Sequence, residues 1–230
     1  PTSDDIAARS ERPLLTANDR RTFLHRYAGG LLPLLIMFLL VTVLRSIRSD
    51  FAPEIWISLG VETKPALFSY SEMWVGLLVT LASGVAVLIT DNRRAFRFAL
   101  ASCIIGFVIL LAATLGQQSG QISQFGFMVL IGVGLYLPYV AVHTTIFERF
   151  IAITRDTGNL VFLMYLADAL GYWGYVGVMM ARNSMEPSGD FMEFFRPLCY
   201  FVGVISLVCM LVSLTSLVRL TTSKATTPVS

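Results

Sequence analysis

Charged side chains and cysteines are scarce in this sequence of 230 residues. Only 14% of the residues are charged, 55% are hydrophobic and the mean hydropathy is +0.70, which excludes a water-soluble globular domain. Three cysteines, scattered through apolar runs, make neither a disulfide framework nor a metal knuckle. The net charge of +2 gives no argument for a nucleic-acid partner.

Enzymatic motifs are missing as well. The sequence contains no His-Glu-x-x-His, Gly-x-Ser-x-Gly or Walker motif, and its only histidines are His25 and His143. It also lacks the alternation of polar and apolar residues that is typical of membrane β-barrels. We therefore expect neither an enzyme nor a cofactor. His143 alone cannot build a metal site.

Long apolar runs are the main feature that is present. A helix needs roughly 20 apolar residues to cross a hydrocarbon core about 30 Å thick. We predict an all-α polytopic membrane domain over residues 28–222, with spans at about 28–48, 70–90, 96–115, 124–148, 158–181 and 197–219. The polar hinge GQQSGQISQ separates the third span from the fourth.

The segments outside this domain are polar. Residues 1–27 are expected to be a disordered basic linker, and residues 223–230 a tail. Because the leader is long and mixed in charge, we expect a fragment of a longer polypeptide rather than a secretory signal. Of the Lys and Arg residues, 12 lie in segments on the side of the N-terminus and 5 on the other. This predicts that both termini lie in the cytoplasm.

The six spans differ in chemistry. The third and sixth are uniformly apolar, and we expect them to touch mostly lipid and one neighbouring helix. The other four carry glycines, prolines or ionisable residues, which survive at membrane depth only where protein or water covers them. Four spans are thus expected to face a wet interior, in an order that fits two three-helix repeats, as in many secondary transporters.

Two loop segments sharpen this comparison. TDNRRAFR, residues 90–97, resembles the Asp-Arg-x-x-Arg-Arg motif that the major facilitator superfamily carries between the second and third helices of each half. FERFIAITRDTGN, residues 147–159, resembles the Glu-Arg and Arg-Gly signature between the fourth and fifth helices. The segment LRSIRSDFAPEIW, residues 44–56, is similar to an uncharacterised bacterial branch of that superfamily.

The resemblance implies the C-terminal six-helix half of such a transporter, with a missing N-terminal half of the same chain as its partner. It also implies a cytoplasmic gate formed by Asp91, Arg93, Arg94, Arg97, Glu148, Arg149 and Arg155. Here the carboxylate of Asp91 would hold the N-terminus of a neighbouring helix. The first motif lacks a glycine between its aspartate and arginines, and no sugar-porter Pro-Glu-Ser-Pro-Arg follows the sixth span, so sugar specificity is unsupported.

Asp168 is the main candidate for ion coupling. It lies 11 residues into the predicted fifth span, near the bilayer midplane, where a carboxylate is costly. Two interpretations stay open: a protonatable or cation-coupling site, or a permanent partner of an arginine that locks helices together. Close helix contact is the first explanation for Gly171, Gly174 and Gly177, which follow it at three-residue spacing.

Two arginines end the first span. Arg45 is the better candidate for recognising an anionic substrate group, since a guanidinium forms two parallel hydrogen bonds with such a group. Arg48 lies closer to water, so we expect it to reach lipid headgroups or to pair with Asp50 or Glu54.

Glu72 begins the predicted second span. It has three interpretations: a cation acceptor, a partner of Arg45, or a carboxylate that complements a helix dipole. Tyr139 and Tyr165 are further candidates for the binding cavity, or else packing residues. His143 is predicted near the cytoplasm, where it is a weaker candidate for a proton relay.

These observations predict one half of a secondary active transporter that moves a small solute by alternating access. An anionic solute is one candidate substrate, lipids and the missing half are the other partners, and no nucleic acid is expected. The alternative is a membrane sensor or assembly protein that kept a transporter-like scaffold and lost transport.

Overall fold

The computed structural model describes residues 16–62, 65–154, 160–183 and 190–223, and every regular element within them is helical. In chain order these elements are α1 (Ala17–Asp50), α2 (Ala52–Ser58), α3 (Pro65–Val87), α4 (Asn92–Gln118), α5 (Gln124–Ala141), α6 (Phe147–Thr154), α7 (Leu160–Asn183) and α8 (Phe191–Ser223). A π-helical turn, Val142–Ile146, joins α5 to α6.

Six helices of the described part are long and apolar enough to cross a membrane. In chain order they are α1, α3, α4, the continuous helix formed by α5, the π turn and α6, then α7, and finally α8. We number them as the first to sixth spans. The all-α, six-helix prediction is confirmed, and the chain is a multi-pass membrane protein. Its orientation and the two-repeat arrangement stay predictions.

The first span begins earlier than predicted. Thr16 and Asp19 form a capping box, in which the Thr16 hydroxyl accepts from the Asp19 backbone N–H at 3.3 Å and the Asp19 carboxylate accepts from the Thr16 N–H at 2.9 Å. Since the helix starts at Ala17, the prediction of a disordered linker is wrong for residues 17–27. Residues 1–15 and 224–230 lie outside the described part.

Successive spans alternate in direction, so each end of the bundle has its own contacts. At the end where the first span begins, which we call the predicted inner end, the Phe150 ring lies 5.0 Å from the Tyr27 ring and 6.1 Å from the Phe96 ring. These rings join the first, third and fourth spans. At the predicted outer end, Arg196 donates to the Gln117 side chain at 3.2 Å and joins the sixth span to the third.

The first and fourth spans occupy the centre of the packing. The first packs against the fourth, fifth and sixth, and the fourth packs against the first, second and third. The third and sixth spans also pack against each other, so the expectation that each touches a single neighbour is wrong. Glycines allow the third span to pack closely against both neighbours. Gly106 of the third span meets Gly134 of the fourth, and Gly203 of the sixth lies beneath Leu111 of the third.

The exposed faces of the spans differ in composition. On the third span from residue 101 to 115 they are alanine, isoleucine, valine and leucine, and on the sixth from 201 to 212 they are aliphatic apart from Phe201. The second and fifth spans are the least buried of the six. Their exposed faces include Tyr70, Trp74, Thr80, Tyr165, Tyr172 and Trp173. An aliphatic face suits hydrocarbon, whereas polar aromatic side chains at mid-helix need a partner for their N–H or O–H groups.

We predict that Gly106→Ala destabilises the bundle. A Cβ at Gly106 would lie 2.9 Å from the Gly134 carbonyl oxygen and 2.9 Å from Pro138 Cδ, and neither is a flexible side-chain end. Overpacking of this kind costs about 1–3 kcal/mol, against a gain of about 1 kcal/mol from replacing a helical glycine by alanine. The melting temperature of the purified protein in detergent should therefore fall.

Gly29→Ala is the matched control, because no atom lies within 4 Å of a Cβ at Gly29. Its melting temperature should stay level or rise. Equal behaviour of the two variants would mean that the third and fourth spans are not in close contact at Gly106.

Candidate functional site

Four polar side chains from three spans meet on one face of the bundle: Arg45 of the first span, Tyr139 and His143 of the fourth, and Asp168 of the fifth. The Tyr139 ring lies between the others, with the Arg45 Cζ atom 4.4 Å and the His143 ring 5.0 Å from its centroid. The His143 Nε2 atom is 3.2 Å from Asp168 Oδ1. We call these four residues the central cluster.

A local distortion of the fourth span positions His143. Tyr139 and His143 are four residues apart and so share a helix face. His143 lies in the π-helical turn, a feature that re-aims side chains and is frequent at functional sites. Pro138, shortly before it, lacks a backbone N–H, and the Thr144 hydroxyl donates to the Val140 carbonyl at 2.9 Å. Nothing in the sequence predicts the π turn.

Glycines of the fifth span bring Asp168 into the cluster. A Cβ at Gly171 would lie 2.8 Å from the Thr42 Cβ atom, and one at Gly174 would meet the first span at 2.9 Å. The fifth span therefore lies directly against the first, one turn after Asp168. Close helix contact is confirmed at these two glycines and is wrong at Gly177, which has no atom within 4 Å of its Cβ position.

Asp168 and His143 form a partly exposed acid–base pair. Their side chains are 35% and 23% exposed, and Nε2 and Oδ1 lie within ion-pair distance without the alignment of a hydrogen bond. Carboxylate and imidazole groups are the usual members of proton relays in membrane proteins. Asp168 is the ninth residue of the 24 in its helix. Within the described residues its ionic partner is His143, so the interpretation that an arginine locks it is wrong.

Arg45 has aromatic neighbours but no acidic one. Its Cζ atom lies over the rings of Tyr139 and Tyr136, at 4.4 and 5.7 Å, and its buried Nε makes no hydrogen bond. In the described part of the chain no carboxylate lies within ion-pair distance of it. Cation–π contacts contribute about 0.5–2 kcal/mol, less than the several kcal/mol that desolvating a charge costs. Arg45 is thus available to an anionic group.

Arg48, one turn later, has the opposite environment. It is buried, donates to Glu72 at 2.7 Å and to the Met128 carbonyl at 3.0 Å, and so joins the first, second and fourth spans. Gly132 makes room for it, since a Cβ there would lie 2.9 Å from Arg48 Nη2. The predictions that Arg48 reaches headgroups or pairs with acidic residues of its own segment are wrong.

Glu72 does not begin its helix. The second span starts at Pro65, and Glu72 is its eighth residue, so a role at the helix N-terminus is wrong. Its partner is Arg48 rather than Arg45.

Tyr165 is not joined to the other candidates. It lies one turn before Asp168, and its side chain is 72% exposed. Among the described residues no polar contact connects it to the central cluster. It belongs instead to the exposed aromatic face of the fifth span, with Tyr172 and Trp173.

The two loop motifs meet at the predicted inner end. Arg149 donates to the Asn92 side chain at 2.6 Å, which joins the end of the fourth span to the start of the third. Asp91 accepts from the Arg94 backbone N–H at 2.7 Å, so it caps its own helix and not a neighbouring one. The other predicted gate residues are either exposed or outside the described part. The exposed ones are Arg93, Arg94, Arg97 and Glu148, and Arg155 lies outside the described part.

One group of contacts at the predicted outer end is not predicted from the sequence. The Arg182 Cζ atom lies 4.4 Å from the Phe51 ring, 4.8 Å from the Phe191 ring and 5.5 Å from the Phe194 ring. The Tyr175 hydroxyl donates to the Asp50 carboxylate beside it. These contacts hold the outer ends of the first, fifth and sixth spans together. No local pattern signals them, because the rings come from two separate segments.

The described residues contain no group of three or more histidine, cysteine, aspartate or glutamate side chains that could hold a metal ion. The central cluster combines a guanidinium, one tyrosine ring and an imidazole–carboxylate pair. A guanidinium can bind an anion, and an imidazole–carboxylate pair can carry a proton.

Comparison with known proteins adds one finding. The model of a family of unknown function, DUF5690, matches residues 1–219. No curated protein and no solved structure matches the chain.

We predict that Glu72→Gln destabilises the protein because it leaves the buried Arg48 charge without a counterion. Breaking a fully buried pair costs about 3–5 kcal/mol, and the half-exposed side chain of Glu72 reduces this to about 1–2 kcal/mol. Thermal unfolding of the variant in detergent measures the loss.

Glu54→Gln is the control, because Glu54 is an exposed carboxylate of the neighbouring helix α2. The double variant Arg48→Met with Glu72→Met should recover stability relative to Glu72→Gln, since it removes both charges. A Glu72→Gln variant as stable as Glu54→Gln would show that the ion pair does not hold the second span.

Proposed function

Since the chain belongs to the DUF5690 family of unknown function, we propose a function from its own geometry. The chain forms one six-helix half of a secondary active transporter. This transporter moves a small solute across the bacterial inner membrane by alternating access, with both termini of the chain in the cytoplasm.

The central cluster carries this proposal. Arg45, His143 and Asp168 are partly exposed although they lie within apolar helices. Ionisable groups at membrane depth are stable only beside protein or water, and they mark substrate and ion pathways. A hydrated cavity over this face satisfies that condition and supplies a route to both acid–base groups.

The exposed faces of the second and fifth spans support a second half. These two spans pack against the fourth and first, which carry most of the cluster. Their exposed tyrosines and tryptophans differ from the aliphatic faces of the third and sixth spans. A second six-helix unit over these faces would enclose the cluster, and lipid would cover the aliphatic faces.

The packing pattern supports two three-helix repeats. If the first span is exchanged with the fourth, the second with the fifth and the third with the sixth, the main packing pairs map onto one another. The contact between the first and sixth spans then corresponds to the contact between the fourth and third spans. The contact between the first and fifth spans corresponds to the contact between the fourth and second spans. Repeats of this kind underlie the rocking motion of many secondary transporters.

The contact of Arg149 with Asn92 supports a gate at the predicted inner end. It joins the two loop segments that resemble the facilitator motifs. A cavity between the second and fourth spans lies beside it, lined by Thr80, Ser83, Thr144, Thr145 and Glu148. Opening of this contact would connect the cavity to the cytoplasm.

We predict that water reaches the cluster face in the membrane. In a variant of the full protein without native cysteines, Tyr165→Cys should react with a membrane-impermeant maleimide. Ile105→Cys and Val208→Cys are the controls, because both positions are exposed on the aliphatic faces. Labelling of the controls as fast as Tyr165→Cys, or none at Tyr165→Cys, would contradict a hydrated cavity.

Flux through the reconstituted full protein separates transport from a sensor or assembly role. We expect solute uptake into proteoliposomes that Asp168→Asn reduces at least tenfold. Background flux for anions, amino acids, sugars and drugs, with and without a pH gradient, would favour a non-transporting protein.

A further inference from the structure

We propose that the central cluster binds a carboxylate-bearing solute at Arg45 and one proton at the His143–Asp168 pair in a single coupled event. The site is thus a proton–carboxylate symport site. This inference rests on the proposed transport function and adds the substrate class and the coupling ion.

The contrast between two neighbouring arginines identifies the anion end. Both arginines have a buried Nε without an acceptor, but Arg48 donates through Nη2 to Glu72 and to the Met128 carbonyl, whereas Arg45 contacts the rings of Tyr136 and Tyr139. Among the described residues, the edge formed by the two Nη groups of Arg45 has no acceptor. A carboxylate matches that edge with two parallel hydrogen bonds.

The aromatic rings define the body of the site. Phe38 is fully buried and stacks on Tyr139, with ring centroids 5.3 Å apart, and its edge meets the His143 ring at 5.1 Å. Tyr139 is therefore fixed between the guanidinium and the imidazole. A small organic anion can place its carboxylate on Arg45 and its apolar body against Tyr136.

The charges around His143 determine the sign of the coupling. His143 contacts Asp168 of the fifth span and Tyr139 of its own span. The charged or titratable groups around Tyr139 are Arg45 of the first span, Asp168 and Tyr172 of the fifth and Tyr136 of the fourth. With His143 neutral, Arg45 and Asp168 cancel. A proton on the pair makes the cluster positive by one charge, and a bound carboxylate restores neutrality.

Proton and anion therefore favour each other's binding, and by linkage the effect is reciprocal. Opposite charges separated by one aromatic ring in a partly buried site interact strongly enough for a change of about tenfold in affinity. We expect a monocarboxylate to bind about tenfold more tightly at pH 5.5 than at pH 8. One proton should accompany each monocarboxylate, so transport is electroneutral and driven by a pH gradient.

Calorimetry on the full protein in nanodiscs tests this. The probes are lactate and benzoate, with lactamide and benzamide as uncharged analogues, at pH 5.5 and 8. We expect binding of the acids but not of the amides, and tighter binding at pH 5.5. Titrations in two buffers of different ionisation enthalpy, at a pH between these two, should show net proton uptake on anion binding, at most about half a proton per anion for a tenfold coupling.

Variants test which residues bind the carboxylate and which bind the proton. Arg45→Gln should abolish binding of both acids, while Arg21→Gln, which removes an exposed arginine outside the cluster, should bind them normally. Asp168→Asn should bind them more tightly than the parent at pH 8, because no carboxylate of the cluster then neutralises Arg45. The proposal is overturned if neither acid binds, if the amides bind equally, or if Arg45→Gln binds like the parent.

The outcomes also separate this inference from the proposed function. Anion binding with proton uptake but no flux in proteoliposomes would remove the transport function and leave the site. Flux of an uncharged solute without binding of either acid would remove the site and leave transport.

Discussion

A charged side chain inside an apolar helical bundle must find a counterion or water, and the first span carries two arginines that meet this requirement differently. Arg48 is buried, and its Nη2 donates to Glu72 and to the Met128 carbonyl in the space beside Gly132. Arg45 lies against aromatic rings and has no acidic partner within the described residues. Arg48 therefore contributes to packing, and Arg45 is the arginine to which we assign the proposed ligand.

Glycines determine which polar groups meet. The close approach at Gly171 places the fifth span against the first, so that Asp168 reaches His143. The contact of Gly106 with Gly134 fixes the fourth span against the third, just before Pro138 and the π turn. In lipid, where apolar side chains gain little by leaving the solvent, such small residues are what allow helices to pack closely.

The sequence predicts the spans well and their mutual contacts poorly, for a physical reason. Uncharged runs report the burial of whole helices, so six spans are found, and the polar hinge marks the turn at Gly120. Asp168 and Arg45 stand out because charge in an apolar run is costly. Their partners do not, because the pairs of Asp168 with His143 and of Arg48 with Glu72 depend on how helices rotate and slide against each other. Hydropathy carries no such information.

The decisive measurement is a cryo-electron microscopy structure of the full protein in lipid nanodiscs, at a resolution that shows side chains and acyl chains. We expect a water-filled cavity over Arg45, His143 and Asp168, enclosed by a second six-helix unit that covers the aromatic faces of the second and fifth spans. Acyl-chain density directly against Asp168 and Tyr165 would contradict a hydrated binding site on this face.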